Sequence, residues 1–460
     1  MLEPQDRRLL LDALRPPPGY ELDHAVGTTY SLDLIALLTA PLAFTAFDWE
    51  DAQGRPPSDP YSLLAALRQH AARITLFCQL GQIAVPPAHQ RLLAELEESV
   101  VQVRAPRHAE GGVFHPKVWL LRFTSDDLPV AYRLLCLSRN LTFDHSWDLA
   151  LVLDGTLQDR KNAYRVNHNL GDFIAALPDL AQDPLTPSRA DAVTLMQDEV
   201  RRVAFEPPEG LEVTGFWPLG LDDREPWPFD TRMDRLLVVS PFVRPSLLRR
   251  LAAKGREVTL VSREDELARH SPDEIGATHV YVLDRAAAPQ EPDEEEDADG
   301  SPPTGLHAKA YVADQGWRAS VWVGSANATD AAFSRNVEFL VELEGAKSAI
   351  GVGACLAEGV AGQPSFRDLL IDWAPPAEPE LDPQADALER RCDLTRAAIA
   401  AADLHIEIDP ASDVLHDCRV LSSASPLQAG VTATCWLATQ GPNAATSFRV
   451  GETPAATLRA

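Results

Sequence analysis

The chain has 460 residues, 45% of them hydrophobic and 24% charged, the composition of a folded protein long enough for two or three domains with separate cores. No stretch approaches the roughly 18 to 20 uninterrupted apolar residues of a membrane span. The start, MLEPQDRRLLLDALRPPPG, carries acids and prolines where a signal peptide needs a basic end and an apolar core, so the expected location is cytoplasmic. A net charge of −27 argues against nucleic-acid binding through a broad basic face, and six scattered cysteines without a Cys-x-x-Cys pair offer neither a zinc knuckle nor a disulfide framework.

In chain order, GTTYSLDLIALLTA (27–40) reads as a buried strand running into a helix. Strand signals follow in RITLFCQL (73–80), SVVQVRAP (99–106), FHPKVWLLRF (114–123), RLLCLSRN (133–140) and WDLALVLDG (147–155). A second series opens with RLLVVSPFVRPSLLRRLA (235–252) and continues through EVTLVSREDEL (257–267), THVYVLD (278–284), LHAKAYVAD (306–314), SVWVGSAN (320–327) and NVEFLVELEG (336–345). The order of elements is the same in both. His115 and His307 are 192 residues apart, Ser138 and Ser325 187, and Asp148 and Glu338 190, so the offset hardly drifts. Two copies of one α/β unit account for this, one in 1–185 with an N-terminal extension and one in 186–375.

Within the second unit, PQEPDEEEDADGSPP (289–303) ends just ahead of LHAK. Its composition is that of a solvated, disordered insert. A sharper reading has it hanging over the site and repelling or mimicking a polyanion. Beyond 375 come a proline-rich acidic linker, WAPPAEPELDPQAD, a helix in DALERRCDLTRAAIAAA, and short strands in LHIEIDP, HDCRVLSS and VTATCWLAT. Residues 376–460 are thus expected to form a linker and a small β-rich module.

Arginine carries nearly all the positive charge. The lysines are Lys117, Lys161, Lys254, Lys309 and Lys347, and two of these five sit in His-x-Lys. On a strand, residues two apart share a face, so His115 would point with Lys117 and Trp119, away from Val118 and Leu120, and His307 with Lys309. The next strand ends in Ser138-Arg139-Asn140 or Ser325-Ala326-Asn327, and the third supplies Asp148 or Glu338. Each copy offers an imidazole, an ammonium, a hydroxyl, an amide and a carboxylate. A neutral imidazole can attack phosphorus while a carboxylate holds its tautomer. Lysine, serine and asparagine can donate to the non-bridging oxygens, and a second imidazole can protonate the departing oxygen and later activate water. One copy supplies half of such a site.

These residues resemble the phospholipase D superfamily, whose signature is His-x-Lys, four residues, Asp, then Gly-Ser-x-Asn. The second copy matches throughout with His307, Lys309, Asp314, Gly324, Ser325 and Asn327, and Glu338 stands where the family places a carboxylate against its histidine. The first keeps His115, Lys117, Ser138, Asn140 and Asp148 but has Arg122 for the motif Asp and Leu137 for the glycine, and Pro116 adds a local irregularity or an edge position. The resemblance covers about residues 20 to 375. It implies two α/β sandwich repeats about a pseudo-twofold axis, with the site in the seam and a phosphohistidine formed without a metal or other cofactor. His115 would be the nucleophile and His307 the acid/base, or the reverse. Lys117, Lys309, Asn140 and Asn327 would grip the phosphate with Ser138 and Ser325 assisting, while Asp148 and Glu338 would orient the histidines.

Weaker patterns are His405-x-Glu407-x-Asp409, more simply an exposed alternating strand, the pair His416 and Cys418, and Arg139 and Arg335 within the motif segments. The lack of a membrane-docking segment favours a nuclease, with DNA the favoured substrate, over a lipase. A helicase or other partner in a bacterial DNA-processing or anti-phage defence complex would supply the DNA affinity an acidic chain lacks. The alternatives are a phospholipase or small-phosphodiester hydrolase, and a scaffold subunit with a vestigial site.

Overall fold

A computed structural model describes residues 10–48, 60–86, 91–143, 146–222, 226–284, 305–360, 363–376, 383–402, 404–410, 412, 416–422, 427–437, 443, 445–447 and 456–459. The acidic block 289–303 lies outside these. The first sheet contains β1 (Glu21–Thr29), β2 (Ile74–Gln79), β3 (Val100–Val103), β4 (Val118–Thr124), β5 (Ala131–Leu137), β6 (Ala150–Leu157) and β7 (Val203–Glu206). Its spatial order is β3-β2-β1-β4-β5-β6-β7, with β1, β2 and β3 parallel and the rest antiparallel. ITLFCQ on β2 is buried at every position, as a central parallel strand covered on both faces must be.

The second sheet contains β8 (Leu211–Leu219), β9 (Met233–Val239), β10 (Gly255–Ser262), β11 (His279–Leu283), β12 (Ala310–Gln315), β13 (Arg318–Gly324), β14 (Glu338–Ala346) and β15 (Leu370–Asp372). Its order, β15-β11-β10-β9-β12-β13-β14-β8, repeats the first sheet from β3 through β6, ends like it in an antiparallel edge strand, with β8 where the first has β7, and adds β15 at the other edge. The two copies are therefore α/β sandwiches of one topology.

Alternation along the strands builds three cores. Val118, Leu120 and Leu134 of the first sheet share one core with Val312, Val321 and Phe339 of the second, and Phe173, Phe216 and Phe339 meet inside it. The opposite face of the first sheet, with Trp119, Leu121 and Phe123, packs beneath helix α1 (Leu34–Asp48) and its neighbours. Helix α5 (Pro245–Ala252) covers the second sheet in the same way through Leu247, Leu248 and Leu251. Asp33 caps α1 by accepting from the Ile35 amide at 2.7 Å.

Helices α2 (Pro60–Ala72), α3 (His168–Ala176) and α4 (Pro187–Val200) complete the first half. Helices α2, α3 and α4 and strands β7, β8 and β15 are additions to the sequence reading. A helix α6 (Pro383–Ala400) follows the second sheet, then β16 (Leu404–Pro410), β17 (His416–Ser422) and β18 (Ala456–Arg459) form a small antiparallel sheet in that order. Of VTATCWLAT, only Thr434–Cys435 is a strand among the described residues.

Candidate active site

Neither His-x-Lys motif lies inside a ladder. Strands β4 and β12 begin one residue after Lys117 and Lys309, and Pro116, lacking an amide hydrogen, occupies the irregular approach. The expected common face of His115, Lys117 and Trp119 is consequently absent. Trp119 packs under the outer helices, whereas Lys117 reaches into the seam beside Glu338 and Lys309.

Two short contacts between the repeats create the seam. Phe114 bridges Val337 in parallel, with the His115 amide donating to the Val337 carbonyl at 2.9 Å. Symmetrically, Leu306 pairs in parallel with Trp147, and the His307 amide donates to the Trp147 carbonyl at 3.0 Å. In each case the histidine and the carboxylate are the next residues along the two paired segments. His115 Nδ1 lies 2.9 Å from Glu338 Oε2, and His307 Nδ1 lies 3.0 Å from Asp148 Oδ1. The pairing is crossed: each repeat's carboxylate holds the other repeat's imidazole. Nδ1 bonded to a carboxylate carries the proton, which leaves Nε2 with its lone pair.

The lysines are fully enclosed, Lys117 at 1% and Lys309 at 0% exposure. Lys117 Nζ donates to the His115 carbonyl at 2.8 Å, and Lys309 Nζ to the His307 carbonyl at 2.6 Å and across the seam to the Ser138 carbonyl at 3.2 Å. Both serine hydroxyls act on the carboxylates. Ser138 donates to Asp148 at 3.1 Å and accepts from the Leu149 amide, while Ser325 donates to Glu338 and accepts from the Phe339 amide. Asn140 and Asn327 are half-buried, each with its amide oxygen enclosed and without a hydrogen-bond partner.

Burial lowers the His115 imidazole to about 4, with Lys117 and Lys309 adding to the shift and Glu338 opposing it. His307 also lies below its ordinary value, through burial and Lys309 against the pull of Asp148. Burial holds Lys117 well below the usual lysine range, countered by Glu338 and Asp148. For Asp148, burial acts upward, but the His307 hydrogen bond and the charges of His307, Arg139 and Lys309 outweigh it and leave the carboxyl below its usual range. Both imidazoles are neutral near pH 7.

The two departures from the family motif have structural answers. Asp314 accepts from the Val352 amide at 2.9 Å, fixing a helical turn to β12. At the corresponding point of β4, Arg122 reaches Glu199 on α4 at 2.8 Å and Asp23 at 2.8 Å, and Glu199 also accepts from Tyr132. A cation-to-carboxylate link replaces a carboxylate-to-amide link, and both tie the strand to the helix behind it. Gly324 has φ +154°, and a Cβ there would sit 2.1 Å from the Phe339 carbonyl oxygen. No described non-glycine residue takes a positive φ, so the first repeat accommodates Leu137 in ordinary backbone.

Sequence reasoning missed two aromatic neighbours. Tyr30, just past β1, meets the His115 ring edge-on at 5.3 Å, and Trp147 stacks on Phe366 at 4.7 Å beside Asp148. Neither sits in a motif. The weaker candidates lie elsewhere: His405, Glu407 and Asp409 are on the exposed β16 strand, where Arg419 pairs with both acids, and Arg335 donates to the Glu110 carbonyl. Arg139 borders the site, 3.7 Å from Asp148. Among the described residues no group of three or more His, Cys, Asp or Glu could hold a metal ion.

Residues 237–351 match the family model described as the cardiolipin synthase, PLD-like domain. No curated protein matches the chain. Among solved structures, it is similar to a yeast tyrosyl-DNA phosphodiesterase, 12% identical over 74% of this chain and 86% of that one, with a TM-score of 0.44. It is also similar to a phosphatidylserine synthase from Haemophilus influenzae, 12% identical over 73% of this chain and 79% of that one, TM-score 0.34. A polyphosphate kinase from Porphyromonas gingivalis is 13% identical over 72% of this chain and 42% of that one, TM-score 0.35. Residues 237–351 thus match a PLD-like domain, and both His-x-Lys motifs meet across the seam.

Proposed function

We propose that the chain is a metal-independent phosphodiesterase acting through a phosphohistidine, with nucleic acid as its substrate and DNA favoured. The observation that carries this is the crossed pairing of His115 with Glu338 and His307 with Asp148, which turns two half-sites into one. His115 Nε2 attacks phosphorus, and the bond to the leaving oxygen breaks as that oxygen takes a proton from His307. Water then attacks the phosphorus, losing a proton to His307, and the P–N bond breaks to release His115.

The phosphate itself completes the protonation states. Its negative charge favours the ammonium of Lys117 and the imidazolium of His307, both of which are held below their ordinary values in its absence. Lys117, Lys309, Asn140 and Asn327 bear on the non-bridging oxygens. Ser138 and Ser325 serve through the carboxylates they bind.

The choice of nucleic acid draws on the sequence, which has no membrane-docking stretch, and no helix among the described residues is long and apolar enough to cross a membrane. At a net charge of −27, a partner such as a helicase would supply the DNA affinity, as in a DNA-processing or anti-phage defence complex. The test is turnover of labelled single- and double-stranded DNA, RNA and a phospholipid in EDTA, by the chain and by His307→Ala. DNA cleavage lost in the variant supports the proposal, and lipid turnover alone makes the chain a phospholipase. Silence on every substrate from a folded protein overturns both. An acid-labile phosphate trapped on His115 identifies the nucleophile; trapped on His307, it reverses the two roles.

A further inference from the structure

Both half-sites are braced in the same way, and the brace differs at one residue beside the imidazole. In the first repeat, the segment after β1 lies between Ile83, past β2, and Leu141, past β5, with Leu32 bridged in parallel to both. Thr29 Oγ1 accepts from the Leu141 amide at 3.1 Å and donates to the Ser31 carbonyl at 2.8 Å, and the Asp33 amide donates to the Leu141 carbonyl at 2.9 Å. In the second repeat, Ser240 Oγ accepts from the Ala328 amide at 2.9 Å and donates to the Phe242 carbonyl at 2.7 Å. Val243 bridges Ala328 in parallel, and the Arg244 amide donates to the Ala328 carbonyl at 2.8 Å. The contacts align Thr29 with Ser240, Leu32 with Val243, and Leu141 with Ala328, which directly follow Asn140 and Asn327. On this alignment Tyr30 corresponds to Pro241.

Tyr30 is thus carried on a segment pinned from two sides, and its carbonyl also accepts from the Cys78 thiol at 3.6 Å. Its ring meets the His115 imidazole with 5.3 Å between centroids and 62° between planes, an edge-to-face arrangement. Glu338 at Nδ1 decides which nitrogen bears the proton. A hydrogen bond at one ring atom still lets the imidazole tilt about it, and a rigid aromatic neighbour removes that freedom. The charged groups facing the ring are Glu338, which favours the imidazolium, and Lys117 and Lys309, which oppose it. Tyr30 adds no charge, because burial raises its hydroxyl to about 12. What it contributes is shape and the exclusion of water.

We propose that Tyr30 is a positioning residue for His115, its ring excluding water from the imidazole and limiting its tilt so that Nε2 keeps one direction toward phosphorus. The second repeat, with Pro241, builds no aromatic wall from the corresponding position. The asymmetry suits a division of labour in which His115 attacks along one line, while His307 exchanges protons first with the leaving oxygen and then with water. The proposal rests on the phosphodiesterase reading for its reaction and on the ring contact for its geometry.

Full-length Tyr30→Phe, Tyr30→Ala and Tyr30→Leu test this with two readouts. One is hydrolysis of bis(p-nitrophenyl) phosphate across pH. The other needs no substrate: the nitrogen-15 NMR titration of His115 in histidine-labelled protein, assigned against His115→Gln. With the ring gone, water reaches the imidazole, and its titration should climb from about 4 toward the ordinary value of about 6.5. An upward shift leaves less neutral imidazole at low pH, so the aliphatic variants should fall further behind as the pH drops, by up to about tenfold more at pH 5.5 than on the plateau. On the plateau, lost alignment should lower kcat roughly 10- to 100-fold with KM within about threefold. Tyr30→Phe keeps the ring and should recover the native limb. Tyr30→Leu fills more of the space and serves where Tyr30→Ala does not fold. A folded aliphatic variant whose His115 titrates as in the native chain overturns the proposal, even with a lower kcat, because a merely structural side chain would give that result. Tyr30→Phe behaving like the aliphatic variants also overturns it, by moving the role to the hydroxyl. Failure of the native chain to hydrolyse the ester counts against the phosphodiesterase reading, while the imidazole titration still decides the part of Tyr30.

Discussion

Glu338 has no exposed surface, and its carboxylate answers His115, the Ser325 hydroxyl and the Asn336 amide together. Replacing it with glutamine keeps the shape and removes the charge that fixes the His115 tautomer. The expected loss in kcat/KM is roughly 10² to 10⁴-fold, by analogy with carboxylate-to-amide changes behind other catalytic imidazoles. The pH profile carries a second expectation. Attack requires neutral His115, whose folded value is about 4, so the acid limb should fall near pH 4 and not near the ordinary imidazole value of about 6.5. Since Glu338 raises that value, Glu338→Gln should push the limb lower still while the plateau drops. A limb near 6.5 in the native chain would mean that His115 is far better solvated than the structure has it. Residue types at this scale were legible because His-x-Lys, Ser-x-Asn and the later acid recur at nearly constant offset. Which carboxylate serves which histidine was not, because the crossing depends on two parallel bridges between segments more than 150 residues apart.

At the level of elements, Arg122 and Asp314 make a matched pair of experiments. Arg122→Met leaves Glu199 buried without its cation, which should cost roughly 3 to 5 kcal/mol of stability by denaturant melting. Asp314→Ala strips the Val352 amide of its acceptor and should cost about 1 to 3 kcal/mol. Neither residue touches the histidines, so at temperatures below the transition kcat should stay within a few-fold of native. The strand cores were readable from alternation and buried runs, as in β2 and β9. The ends were not: alternation carried β4 and β12 back through the His-x-Lys motifs, whereas inter-repeat pairing takes over before the ladders start. Strands β7 and β8 carry mixed signals, half exposed at sheet edges, and the short VAFE run has too few residues for a period to declare itself.

For the molecule as a whole, Phe173 and Phe339 from opposite halves pack at 4.7 Å in the common core. Splitting the chain in the turn after Pro208, between β7 and β8, should give fragments that are insoluble or inactive when made singly. Made together, they should restore a complex of full size and measurable turnover, read by size-exclusion chromatography and ester hydrolysis. Two fragments each active alone would contradict the crossed site.

That crossing also governs how such a gene can change. Because the acid on one side serves the imidazole on the other, losing either carboxylate impairs the opposite half, and the two halves cannot take up separate reactions while the exchange persists. Arg122 and Leu137 differ from Asp314 and Gly324 at the corresponding positions, and each difference is accommodated within its own half. The reciprocal pairs bind the inheritance of both.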